Sequence, residues 1–355
     1  MPVLAYDWVL IGLVLLINLI GLVTLYSAAP SRGIWAQQML AFPIALSVGL
    51  LVQLFSRRRV LSWAFPLYAA SLVLLVLVLL FGREINGAKA WFNLGPLSFQ
   101  PLELAKIALI LVLAKVLAAR PLERLLDYAW PVLLAAPILG LVFIQPDLGG
   151  SLVLIAGLLG MLFVRGMPAV HIVMGLLAVM VLLPTVVWPN LNQYQRDRVE
   201  ILFDPSKDPK GKGFQQIQST IAIGSGGLMG KGFGAGTQTQ LGFVPERQTD
   251  FIYAVLAEEW GFVGASALLI LYALLFFRLG RMALECVRLE DRLIIVGVLS
   301  MLAFQVVINI AVTLGLAPVT GLTLPLVSKG GSSLIMVYLG LGLALLIHRD
   351  RYSEV

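Results

Sequence analysis

Apolar stretches of bilayer-crossing length recur along this chain from Trp8 to Ile347, most of them closed by a short polar break. A transmembrane helix needs about 20 predominantly apolar residues. That requirement places ten spans: Trp8–Ala28, Trp35–Phe55, Leu61–Phe81, Pro101–Ala119, Ala129–Ile144, Ser151–Phe163, Val170–Trp188, Asp250–Phe277, Leu293–Gly315 and Ser332–Ile347. The fifth and sixth are short, and an alternative count takes them as one re-entrant pair. With 59% hydrophobic residues, 12% charged residues and a mean hydropathy of +0.95, a water-soluble fold would lack the polar surface to hydrate itself. The expected class is an all-α polytopic membrane protein with ten transmembrane helices.

Basic residues set the orientation. One set of short loops carries Arg57, Arg58, Arg59, Lys115, Arg120, Arg124, Arg165, Arg278, Arg281, Arg288, Arg292, Arg349 and Arg351, whereas the opposite loops carry Arg32, Arg83, Lys89 and Lys329. Both termini are then cytoplasmic, and residues 189–249 form one large extracytoplasmic loop within a single membrane domain, 1–355. Ser27-Ala28-Ala29 resembles a leader cleavage site, but the apolar run before it is longer than a signal core and has no basic start, so a retained helix is expected. The formal charge of +6 is accounted for by cytoplasmic loops facing anionic lipid and does not indicate nucleic-acid binding. Cys286 stands alone and His171 and His348 are far apart, which argues against an internal disulfide and against a thiol or histidine metal centre.

The outside loop opens with "NQYQRDRVEILFDP", where Tyr194, Val199, Ile201, Leu202 and Phe203 are interleaved with charges. A short helix lying in the interface and a solvated connector fit it equally. Next comes "GSGGLMGKGFGAGTQTQLGF". Its phosphate-loop pattern fails twice, since Ser225 replaces the first glycine and Gly232 follows Lys231 where Ser or Thr is required. An anion nest of glycine amides near Lys231 is one reading; a flexible loop or close helix packing is the favoured one.

Ionisable residues inside spans are more informative. A central Asp, Lys or Arg costs about 2.5–3.5 kcal/mol to insert and is retained where it pairs or lines a polar cavity. Glu103 and Lys106 in "QPLELAK" lie three apart on one helix face. They suit a self-neutralising pair or, near the outer helix end, the wall of a substrate cavity. Asp147 in "QPDLGG" sits at an outer turn and also suits a helix cap. Gln305 and Asn309, four apart, share a face fit for interhelical hydrogen bonds. "VSKGGSS" brings Lys329 to the outer mouth of the last span. "PERQTDFIYAVLAEEWG" places Glu246, Arg247 and Asp250 just before the eighth apolar run, and Glu258 and Glu259 inside it. Asp250 at a helix N-terminus is favoured in its ionised form by the helix dipole, with Glu258 two turns on near the same face and Glu259 directed elsewhere. A cap and two separately paired acids would account for that stretch alone, but not for acids and bases gathering at one outer depth on several spans.

One carboxylate at a lipid–water boundary, among cations, is poorly arranged for glycoside hydrolysis by two opposed carboxyls. It suits transfer from a phosphate-linked donor. Pyrophosphate leaves without protonation when cations stabilise it, while the carboxylate orients or deprotonates the attacking hydroxyl.

Four motifs, "GAKAWFNLGPLSFQPLELAK" (87–106), "QPDLGG" (145–150), "PERQTDFIYAVLAEEWGFVG" (245–264) and "GLTLPLVSKGGSS" (321–333), in that order, resemble the SEDS family (shape, elongation, division and sporulation) over nearly the whole chain. The "PER.TDF" form is closer to the family's elongation branch than to its division branch. Leu102 and Gln248 depart from the Ser and His common at those positions, and Lys329 stands where another residue is often found. The resemblance implies a peptidoglycan glycosyltransferase that polymerises lipid II, the undecaprenyl-pyrophosphate-linked disaccharide-pentapeptide, at the outer face of the bacterial cytoplasmic (inner) membrane during cell elongation and shape maintenance. It implies Asp250 as the catalytic residue. Lys106 and Arg247 are expected to neutralise phosphate, Glu103 to hold Lys106, and Asp147, Glu258 and Lys329 to complete the substrate site. The implied partners are lipid II, undecaprenyl pyrophosphate, a class B penicillin-binding protein (transpeptidase) and other elongation-complex proteins. A divalent cation (Mg or Mn) is a further expectation, without a complete ligand set in the sequence. A lipid II flippase and a scaffold that only recruits the penicillin-binding protein are the competing classes. Acids at outer helix ends, with no repeat visible in the sequence, favour surface chemistry over transport.

Overall fold

The structure is a computed structural model that describes residues 6–29, 31–85, 88–95, 97–119, 125–182 and 211–351. Each of the ten predicted spans overlaps a helix, and residues 183–188 of the seventh lie outside the described residues. In chain order the helices are α1 (Trp8–Ala28), α2 (Arg32–Leu51, extended by a 3-10 turn Val52–Leu54), the short α3 (Arg57–Ser62), α4 (Ala64–Phe81), α5 (Pro101–Ala119), α6 (Ala129–Ile144), α7 (Leu148–Arg165), α8 (Ala169–Leu182), α9 (Lys212–Ser225), α10 (Thr237–Gln240), α11 (Ile252–Glu285), α12 (Leu289–Thr313) and α13 (Gly331–Asp350). Seven are long and apolar enough to cross a membrane, and α6 is a shorter apolar helix. The fifth and sixth spans are thus two separate helices, α6 and α7. α5, which carries Glu103, Lys106 and Lys115, runs through the core and packs against α4, α6, α7, α12 and α13.

Between α4 and α5 the chain departs from a purely helical expectation. A small antiparallel sheet is formed by β1 (Arg83–Ile85), β2 (Ala88–Leu94) and β3 (Leu97–Phe99) in the order β1-β2-β3, with Phe92 opposite Phe99. Asn86-Gly87 and Gly95-Pro96 in the sequence are turn dipeptides of the kind that separate hairpin strands. The Ser332 hydroxyl of α13 donates to the Ser98 carbonyl and ties this sheet to the last helix.

α11 is 34 residues long, about 51 Å if straight, more than a bilayer requires. It breaks at Gly261 (φ 67°, ψ −165°). Residues 252–259 before the break are buried in the protein, whereas Trp260, Phe262 and Val263 around it are exposed. The glycine-rich loop docks into the break. Lys231 and Gly232 N–H groups donate to the Glu258 and Glu259 carbonyls at 3.0 and 2.9 Å, and Phe262 and Val263 N–H groups donate to the Gly227 and Leu228 carbonyls at 2.8 and 3.1 Å. The loop therefore satisfies backbone groups that a broken helix orphans. A Cβ on Gly261 would stand 2.3 Å from the Gly230 nitrogen, and one on Gly230 (φ 79°) would stand 2.2 Å from the Glu259 carbonyl oxygen. The glycines serve close backbone packing, the favoured reading of that loop. The interleaved segment 192–205 lies outside the described residues.

α11 runs antiparallel to α1. Arg278 meets Asp7 at 2.5 Å near one end of α1, and the Ser27 hydroxyl donates to Glu259 at the other. At the Asp7 end, Arg57 pairs with Asp291 at 3.3 Å and Arg351 with Glu285. The start and finish of the described chain thus share the basic end of the bundle, the end expected to face the cytoplasm. About midway along α1, Asn18 donates to the Leu326 carbonyl at 2.9 Å, and the Tyr272 hydroxyl of α11 donates to Pro325. These bonds hold the non-helical segment 320–330, between α12 and α13, inside the bundle at half its height, where irregular backbone is tolerated because protein surrounds it.

Gly261→Ala is expected to cost about 2 kcal/mol or more, read as a lower thermal unfolding midpoint of the detergent-purified protein. Gly140→Ala on α6, where a Cβ meets nothing within 4 Å, should leave the midpoint unchanged or raise it slightly.

Candidate active site

Two buried amides on α12 organise the site. Gln305 Nε2 donates to the Thr323 carbonyl at 3.0 Å; one turn along, Asn309 Nδ2 donates to the carbonyls of Leu322 at 2.7 Å and Asp250 at 2.9 Å. Asp250 is half-buried and lies just outside α11, which starts at Ile252 with Phe251 as its cap residue. Segments 248–250 and 328–330 run side by side: the Ser328 hydroxyl accepts from the Leu324 N–H at 2.8 Å and donates to Thr249 at 2.5 Å, and the Lys329 N–H donates to the Gln248 carbonyl at 2.9 Å. From α2, Gln38 accepts from the Gly330 N–H at 3.1 Å.

Glu103 and Lys106 form an ion pair at 2.7 Å, each side chain under a tenth exposed. They also line a cavity between α5, α12 and α13 with Ile110, Met301, Gln305 and Met336. The pair is therefore self-neutralising and also open to a cavity. Gln305 belongs to the cavity wall, and Asn309, about 6 Å further along the helix axis, grips Asp250.

Three residues expected in the substrate site have other work. Asp147 caps α7 by accepting the Gly150 N–H at 2.8 Å and also accepts from Gln100 at 3.2 Å, the bland reading of its motif. Arg247 is 9% exposed and donates from Nε to the Ala28 carbonyl at 2.8 Å and from Nη1 to Thr239. It staples the outer loop to the end of α1, and burial lowers its pKa. Glu258 is fully buried, pairs with Lys231 at 2.8 Å and accepts the Gln238 and Thr239 N–H groups at 2.9 and 3.0 Å. It shares no helix face with Asp250, because Asp250 is outside the helix and the break at Gly261 seats the loop on Glu258. Lys231 also donates to the Thr237 hydroxyl at 2.8 Å, which favours packing over an anion nest. Glu259 diverges from Glu258 as expected, accepting from Ser27 on α1. The sequence had not singled out Gln38 or Ser328 as holders of the site; the Gln37-Gln38 pair within the apolar run of α2 was the available signal.

The family model described as cell cycle protein, covering FtsW, RodA and SpoVE, matches residues 1–353. The chain belongs to this family. Among curated relatives, this FtsW/RodA/SpoVE-family protein is similar to the peptidoglycan glycosyltransferase MrdB of Escherichia coli (strain K12), 43% identical over 82% of this chain and 79% of that protein. It is also similar to the stage V sporulation protein E of Bacillus subtilis (strain 168), 36% identical over 98% of both. Among solved structures it is similar to a chain of a peptidoglycan synthase complex described for its structural coordination of polymerization and crosslinking, with 55% identity and a TM-score of 0.88 over 98% of this chain and 99% of that one. The rod shape determining protein RodA of Thermus thermophilus gives 48% identity and a TM-score of 0.77 over 99% of both chains. With its apolar helices, the chain is a SEDS-family, RodA-like multi-pass protein of the bacterial inner membrane.

In this SEDS chain the Glu103–Lys106 pair makes a sharp prediction. Lys106→Met leaves a buried carboxylate without its cation, which is expected to destabilise the fold by about 3–5 kcal/mol, measured as thermal unfolding in detergent. Adding Glu103→Gln should recover most of that loss without restoring activity.

Proposed function

We propose that this peptidoglycan glycosyltransferase polymerises lipid II into glycan strands at the outer face of the inner membrane during elongation, with Asp250 as its catalytic carboxylate. The observation that supports it most is the shared mounting on α12: Gln305 in the wall of the Glu103–Lys106 cavity, and Asn309, one turn away, on the Asp250 carbonyl. In this reading the 4-hydroxyl oxygen of one sugar attacks the anomeric carbon of a lipid-linked glycan. The bond from that carbon to the pyrophosphate oxygen breaks with inversion, Asp250 takes the hydroxyl proton, and the electron pair leaves with undecaprenyl pyrophosphate. Lys106, held by Glu103 at 2.7 Å, and Lys329 provide fixed positive charge for the phosphates, an effect strengthened by a site that excludes water.

A divalent cation here would draw most of its ligands from phosphate oxygens and water beside Asp250, the usual pattern for magnesium at phosphate sites. Among the described residues no three His, Cys, Asp or Glu side chains converge to hold a metal, and none of the steps above depends on one. The similarity to a chain of a peptidoglycan synthase complex supports a crosslinking partner, which we take to be a class B penicillin-binding protein within a larger elongation complex. Segment 320–330, non-helical at half height, is the one feature that favours a flippase. Against that reading stand relatives named as glycosyltransferases.

Asp250→Asn, purified with the penicillin-binding partner, should lose lipid II polymerisation by on the order of 10²–10⁴-fold while the complex stays intact. Undiminished glycan product would overturn the assignment of Asp250. A native pair that makes no glycan but moves lipid II across vesicles would support transport instead.

A further inference from the structure

Asn309 is 1% exposed, and its amide nitrogen donates to two backbone carbonyls, those of Asp250 and Leu322. Only the NH2 edge of an amide can serve two acceptors, so these carbonyls fix which way the side chain faces. The cost of that orientation is visible: Asn309 Oδ1 is buried and has no hydrogen-bond partner. A buried acceptor left unmade is unfavourable, and here it accompanies two bonds from one nitrogen, one to the peptide of Asp250 and one to that of Leu322. Asp250 lies outside α11, so the helix ladder does not position it. Leu322 adjoins Thr323, which Gln305 holds from the cavity wall.

We infer that Asn309 is the positioning residue for Asp250, clamping its peptide to that of Leu322 and so setting the carboxylate in relation to the Lys106 cavity. This rests on Asp250 being the base. A displacement of about 1 Å at a reacting group costs on the order of 10²-fold in rate, so the clamp acts on kcat rather than on substrate affinity.

The test measures initial rates of lipid II polymerisation at several substrate concentrations, with the full chain and its penicillin-binding partner, for Asn309→Ala, Asn309→Asp and Asp250→Asn. Asn309→Ala is expected to lower kcat by on the order of 10²-fold with KM unchanged. Asn309→Asp is nearly isosteric. Ionised, it sets carboxylate oxygens against two carbonyl oxygens; protonated, it can donate to one of them. Its kcat relative to the native chain should therefore rise as pH is lowered, a trend Asn309→Ala should lack. Native-like kcat in both variants, a raised KM in place of a lowered kcat, or failure of Asn309→Asp to fold at every pH would overturn the inference. If Asp250→Asn is inactive while the Asn309 variants keep native kcat, this inference alone fails. If Asp250→Asn stays active, the reading beneath it fails.

Discussion

A bilayer offers no water to a broken helix, so each interruption of helical backbone inside it must be met by other protein groups. Two interruptions shape this molecule, the break at Gly261 and the non-helical segment 320–330. The first is met by backbone from the glycine-rich loop. The second is met by side chains converging from four helices: Asn18 on α1, Gln38 on α2, Tyr272 on α11, and Gln305 with Asn309 on α12. These five polar residues within apolar helices act as anchors for irregular backbone, and the candidate site sits where those anchors meet.

Charge follows a similar economy. Lys231 neutralises Glu258, Arg278 meets Asp7, and Arg247 donates to carbonyls. Lys106 differs in that its pair with Glu103 opens onto a cavity. A cation that is already desolvated, oriented and partly neutralised can receive phosphate charge with little reorganisation. The same burial makes the pair sensitive to losing either member.

Much of the fold was legible because length and hydropathy are what the bilayer selects for, and each of the ten expected spans overlaps a helix, seven of which are long and apolar enough to cross a membrane. The Glu103–Lys106 pair was legible because three-residue spacing on a helix fixes proximity. Glu258 was misplaced for the converse reason: periodicity relates residues only within one helix, and Asp250 lies outside it. The partner of Arg247 was not legible, because its charge does not reveal that it meets the Ala28 carbonyl, more than two hundred positions earlier. The hairpins between α4 and α5 were overlooked inside a chain read as helical throughout, although their turn dipeptides stood in the sequence. Asn309 could be placed on an interhelical face, but the identity of its acceptors is a tertiary fact.

The loop that fills the α11 break is gripped through its main chain, and this separates its two sides. Its inner edge is dictated by backbone geometry, whereas Leu228, Met229 and Phe233 point outward, 70, 79 and 53% exposed. Their chemistry can change without disturbing the bonds that hold Gly227 to Gly232 in place. The architecture therefore supplies an outward apolar face whose side chains are independent of the main-chain bonds that seat the loop.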